Sequence, residues 1–116
     1  MKFDIRDVKI KGKGMIATAD IQAAETICTC TAIRLTSFQS EELRYTSLFK
    51  YLFMKDEAYH LALGDVSLVN HSFEPNSKVL WEEDKIHLIA TKDISIGEEI
   101  THTYSNIDDY DISGWI

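Results

Sequence analysis

Asn70 and His71 close the apolar run of Leu61, Leu63, Val66, Leu68 and Val69. That run should lie inside, and an amide beside an imidazole at its end must find partners there. The pair is therefore either a satisfied structural knot or a corner that holds a ligand. Glu74-Pro75-Asn76 follows, and this proline, the only one in 116 residues, fixes its own φ, drives Glu74 out of helical space and forces a turn. Near the start, Gly12-Lys13-Gly14-Met15 offers bare backbone that another group can approach, either as a plain hairpin or as a cradle for a cofactor. Near the finish, Tyr104 offers a phenol. His60, His71, His87, His102, Cys28 and Cys30 are spaced unlike any zinc pattern, so no metal site is expected.

Taken together, these stretches resemble SET-domain protein lysine methyltransferases. Asn70-His71-Ser72-Phe73-Glu74-Pro75-Asn76 is similar to the family's Asn-His-Ser-x-x-Pro-Asn signature. Gly12-Lys13-Gly14 resembles its Gly-x-Gly turn, and Gly97-Glu98-Glu99-Ile100-Thr101-His102-Thr103-Tyr104 its Gly-Glu-Glu-(Leu/Ile)-Thr-x-x-Tyr segment. All three occur in the family's order and span most of the chain.

The resemblance implies transfer of a methyl group from S-adenosylmethionine to a lysine of a basic protein segment, with a histone tail as the model substrate. Tyr104 would be the catalytic tyrosine that orients amine and methyl. Gly12, Lys13, Gly14, Met15, Asn70 and His71 would bind the cofactor, with Tyr104 beside them. Tyr110 or Trp115 would stack on the adenine, or else dock on the core as tail aromatics. Tyr51, Tyr59 and His102 are candidates for the substrate channel, although each tyrosine also reads as a core aromatic with a satisfied hydroxyl. His102 departs from the Phe or Tyr usual at its position, and an ordinary imidazole there would titrate near neutral pH. The alternative to an enzyme is an inactive SET module that binds a basic peptide or protein partner. Minimal members of the family are known from viruses and bacteria, and some pair, which makes a homodimer the candidate assembly.

Composition bounds these readings. A chain of 116 residues is expected to be one domain, 1–116, with a modest core. No apolar run approaches the roughly 20 residues that cross a bilayer, and the first residues lack a signal peptide's apolar segment, so no membrane is expected. The expected location is the cytoplasm, or a host nucleus if the protein is viral or delivered by an intracellular bacterium. Net charge is −7, from 12 Lys and Arg against 19 Asp and Glu. After Lys92 there are acids and no Lys or Arg: Asp93, Glu98, Glu99, Asp108, Asp109 and Asp111. That sign excludes a nucleic-acid surface and predicts an acidic rim that steers basic peptides inward. Cys28 and Cys30, at i and i+2, share one face of a strand, a poor disposition for a disulfide. With no cysteine beyond them, the zinc-binding segment that follows many SET domains is not expected here.

The elements that must hold these residues are short. Phe3 to Ile10 and Met15 to Ala19 read as a glycine-punctuated pair of strands, and Ala24 stands in a turn where the family usually has glycine. Thr26 to Leu35, rich in β-branched residues, is the clearest strand. Ser37 to Arg44 predicts a turn or two of helix begun at Ser37 or Ser40. Leu48 to Met54 fits helix or strand, and a strand hairpin with Tyr59 to Leu63 is favoured. Asn76 to Trp81 and Ile86 to Ala90 form a second hairpin, and Glu99 to Thr103 the last strand. Many short strands and little helix predict a mostly β fold of several small sheets. The resemblance adds that this is the SET-domain fold, of β-clip type, with a C-terminal pseudoknot beside Asn70 and His71.

Overall fold

A computed structural model describes residues 1–8 and 12–104. Among these residues, nine strands form two sheets: β1 (Phe3–Val8), β2 (Gly12–Ala17), β3 (Thr26–Arg34), β4 (Leu52–Lys55), β5 (Ala58–Leu63), β6 (Asn70–His71), β7 (Ser77–Glu82), β8 (Lys85–Ala90) and β9 (Glu99–His102). The smaller sheet runs β1-β2-β9-β6 and the larger β4-β5-β3-β8-β7. This is the mostly β architecture of small sheets that the strand pattern implied.

Hairpin chemistry makes the larger sheet. Asp56 and Glu57 both take positive φ, 50° and 62°, between β4 and β5, as a two-residue turn matched to strand twist requires. Glu83, at φ 56°, does the same between β7 and β8. The ambiguous stretch before β4 divides, with a 3-10 turn at Phe49–Tyr51 and strand from Leu52. Helix α1 (Ser37–Leu43) starts at Ser37, the first of the two serines. Thr36 caps it, accepting from the Gln39 N–H while the Gln39 side chain accepts from Thr36 N–H. Ala24 adopts φ 72°, so the family's glycine position keeps its left-handed turn without the residue that tolerates it best.

Met15, Ile21, Val66, Val69, Ile86, Leu88, Ile94 and Ile100, all essentially without exposure, form the core between the sheets. Leu63 does not join them; it is 56% exposed. Alternation along β5 explains this: Ala62 takes the inward position, so Leu61 and Leu63 share the other face and only Leu61 is partly covered. Cys28 and Cys30 are free and half-buried on β3. Burial, helped by the neighbouring Cys30 and Asp65, pushes the Cys28 thiol up to about 12, which suits a packing residue and not a nucleophile.

β9 is the element on which the site depends. It pairs antiparallel with β2, Met15 opposite Ile100, and parallel with β6, where Asn70 faces Thr101 and His71 faces His102. Asn76 adds a third attachment, because its side-chain amide works like one more strand residue. Oδ1 accepts from Thr101 N–H at 2.9 Å and Nδ2 donates to the Glu99 carbonyl at 2.9 Å. Ser77 Oγ donates to the Thr101 carbonyl at 2.6 Å. Chain ends far apart in sequence are thereby drawn to one place.

Candidate active site

The amide of Asn70 reaches across to the first glycine turn. Nδ2 donates to the Lys13 carbonyl at 2.9 Å and to Glu99 Oε2 at 2.8 Å. Both donor protons are thus engaged, and Oδ1 meets no donor among the described residues. Gly14 lies so close that a Cβ there would stand 2.9 Å from Asn70 Nδ2, 2.9 Å from Glu99 Oε2 and 2.5 Å from a Val8 methyl. Only a bare backbone fits between β1 and this amide. Gly12, at φ +80°, serves differently, by turning the chain. Lys13 pairs with Asp7 at 2.7 Å, and Met15 is fully buried in the core, so what these two offer at the site is backbone.

His71 and Tyr104 meet next to this corner. His71 Nδ1 accepts from the Tyr104 backbone N–H at 3.0 Å, which leaves the proton of a neutral imidazole on Nε2. The Tyr104 hydroxyl donates to the Val69 carbonyl at 3.0 Å, and its ring centroid lies 5.2 Å from that of His71. Two more bonds stitch the same stretch of chain to the Asn-His-Ser segment: Ser72 N–H to the His102 carbonyl at 3.0 Å, and Thr103 Oγ to the Ser72 carbonyl at 2.9 Å. Five residues from two distant parts of the sequence therefore fix one phenol by its backbone and by its hydroxyl.

On its other side Tyr104 walls a cavity of about 480 Å³. Tyr51, Phe53, Val79, Trp81 and His102 also line it. His102 is 4% exposed and stacks on Phe53 with ring centroids 5.6 Å apart. Its Nε2 is buried and has no hydrogen-bond partner among the described residues. Burial lowers its pKa to about 4, offset in part by the Thr103 backbone and reinforced by His71. It is therefore uncharged at neutral pH, so the near-neutral titration suggested by an ordinary imidazole does not apply.

The residues singled out in the sequence divide accordingly. Gly12, Lys13, Gly14, Met15, Asn70, His71 and Tyr104 gather at one corner, and Tyr51 and His102 line the cavity beyond it. Tyr59 stands apart, packed against Phe49 at 5.1 Å in a second small cluster, and does not line the cavity. Tyr110 and Trp115 lie outside the described residues. Of the acidic residues after Lys92, Asp93 accepts from Ala23 N–H, Glu98 from Ser95 N–H and Glu99 from Asn70. These three brace turns and the site's own corner and do not line the cavity; Asp108, Asp109 and Asp111 lie outside the described residues. Glu99 and Asn76 were visible as motif letters, yet their roles as acceptor and clamp appear only in three dimensions. Phe53, Val79 and Trp81 carried no signal, being ordinary strand residues brought to the cavity by the register of β4 and β7.

A family model for the SET domain matches residues 12–105. Among solved structures, 266 chains match. One is the crystal structure of a Plasmodium falciparum protein provisionally named a histone methyltransferase, with a TM-score of 0.70 and 24% sequence identity over 90% of this chain and 94% of that one. Identity at that level speaks to the fold. No curated protein matches the chain in sequence.

Proposed function

This chain belongs to the SET-domain family, and we propose that it transfers a methyl group from S-adenosylmethionine to the side-chain amine of a protein lysine. The observation that carries this reading is the position of Tyr104, fixed between the Asn70–His71–Gly14 corner and an aromatic cavity. A methyl donor on one side and a lysine on the other would meet at that phenol. The name of the Plasmodium falciparum protein supports the same class of activity.

The corner fits the donor by its chemistry. The ammonium of an amino acid needs acceptors, and Asn70 Oδ1 is left available once both its donor protons are bound. Beside it, Gly12, with nothing within 4 Å of where its Cβ would stand, leaves backbone open to a close approach. When bound, S-adenosylmethionine supplies an electrophilic methyl on a positively charged sulfur.

The protein's remaining tasks are to orient the amine, exclude water and keep the nucleophile neutral. A free lysine has a pKa of about 10.4 and is almost wholly protonated at neutral pH. Phe53, Val79 and Trp81 give its alkyl stem an apolar path, and desolvation there favours the uncharged amine. His102, itself neutral, adds no competing charge. The Tyr104 oxygen, whose proton is committed to the Val69 carbonyl, presents lone pairs that can hold an amine N–H.

Calorimetric titration with S-adenosylmethionine followed by a methylation assay tests the proposal. The intact protein should bind, and Asn70→Ala should not. Tyr104→Phe should retain binding within a few-fold and lose about 100-fold or more in turnover, the scale of losing one positioned polar group at a reacting centre. Failure of the intact protein to bind S-adenosylmethionine defeats the reading. Binding without turnover on any protein substrate leaves a peptide-binding module instead.

A further inference from the structure

We propose that the lysine taken by this cavity is flanked by acidic residues and not by the basic residues of a histone-like tail. The proposal rests on the methyl-transfer reading and concerns the substrate of that same site. Lys50, Lys55 and Lys78 all line the cavity, and among the described residues no Asp or Glu does. In a chain with 19 acids against 12 bases, three cations at one mouth run against the overall charge.

Two of these lysines are held there. Lys50 Nζ sits 5.3 Å from the centroid of the Tyr51 ring, and Lys55 Nζ 4.8 Å from that of Trp81 while donating to the Glu83 carbonyl at 3.0 Å. Ring faces attract ammonium groups without neutralising them. Among the described residues, none of the three meets a carboxylate in an ion pair. Their charge therefore stays available to whatever enters.

Two consequences follow from like-charge repulsion. A lysine amine approaching three ammonium groups is pushed toward its neutral, nucleophilic form. A basic stretch around that lysine would bring further cations against them, whereas Asp or Glu on either side would be attracted. An extended polyanion such as a nucleic acid fits poorly, because beyond the mouth it meets a body of net charge −7. A short acidic stretch needs only the mouth. The expectation of a basic substrate came from the acidic residues after Lys92; of these, Asp93, Glu98 and Glu99, the ones the structure describes, do not line the cavity.

Two peptides of equal length, each with one lysine, flanked in one by Asp and Glu and in the other by Arg, separate the readings. With S-adenosylmethionine and the intact protein, kcat/KM for the acidic peptide should exceed that for the basic one by about tenfold or more, within the range charge steering commands. The preference should shrink as salt rises from about 50 to about 200 mM. Replacing Lys50→Glu, Lys55→Glu and Lys78→Glu together should invert it, and Lys78→Glu alone, at an exposed position, should weaken it. Fluorescence anisotropy of the same peptides with the target lysine changed to methionine reads the preference without turnover. Stronger binding of the Arg-flanked methionine peptide overturns the proposal, as does a preference that Lys78→Glu and the triple variant leave unmoved. If S-adenosylmethionine does not bind, methyl transfer fails on its own evidence, and the methionine peptides still decide which flank the cavity accepts.

Discussion

The two sides of Tyr104 are built on opposite principles. Toward Asn70 and His71, specific hydrogen bonds tie the polar groups to other parts of the chain, an amide to a glycine-turn carbonyl, an imidazole to a backbone N–H and a phenol to Val69, and leave Asn70 Oδ1 over. Toward the cavity, the walls are ring faces and ammonium groups that no carboxylate among the described residues answers. The first side is closed by hydrogen bonds that specify their partners, while the second is left open by charges that do not. Stability should therefore be concentrated on one side, and selectivity on the other.

The sharpest way to break this contrast is at Asn76, which holds β9 against the corner. Asn76→Ala leaves the Thr101 N–H and the Glu99 carbonyl without their partners in a buried setting, each worth about 1–3 kcal/mol. We expect a loss of about 4 kcal/mol in urea unfolding, a large part of the 5–15 kcal/mol typical of a domain. A loss below about 1 kcal/mol would mean that β2 and β6 alone hold the strand.

The same contrast decides what could be read from sequence. Asn70, His71, Pro75, Asn76 and the two glycines form motifs because their jobs admit few substitutes: no other side chain offers the donor and acceptor of Asn76 at that reach, and no Cβ fits at Gly14. Strands with period-two patterning and tight turns were equally legible. The cavity was not. Lys50, Lys55 and Lys78 are ordinary surface letters in sequence, and only the 3-10 turn before β4 and the pairing of β7 with β8 bring them together. Tyr59 failed for the same reason in reverse, as its aromatic type fits core and channel alike and only the side of β5 it occupies decides between them. Leu63 was placed inside by counting apolar residues along a run, whereas the alternation within β5 puts Ala62 there instead.

His102 belongs to both sides, a motif position whose ring faces the cavity, and it gives a smaller, pH-dependent prediction. Its folded pKa of about 4 lies below the ordinary 6.5, so the unfolded chain takes up the proton first as pH falls. The stability tied to this group is whole above pH 6.5 and is lost progressively down to about 4. The gap corresponds to about 3 kcal/mol at the acid end. His102→Phe keeps the stacking on Phe53 and removes the proton. Denaturant midpoints of the two proteins should therefore diverge between pH 6.5 and 4.5, the variant losing less. Parallel curves would show that the imidazole titrates normally and is not desolvated.

The least disruptive changes should be those on the cavity side. Lys50→Gln, Lys55→Gln and Lys78→Gln each remove a charge that no carboxylate compensates, and keep most of the stem that covers apolar surface. Each should shift unfolding stability by no more than about 0.5 kcal/mol, as substitutions away from buried networks do. Lys55 tests this most severely, because its ammonium also touches Trp81 and the Glu83 carbonyl. A loss of more than about 1 kcal/mol at Lys55 with none at Lys78 would make that cation a structural strut, since a lone exposed charge contributes less than this. Three near-silent substitutions would instead leave selection at the mouth as the physical reason for so many cations in so acidic a chain.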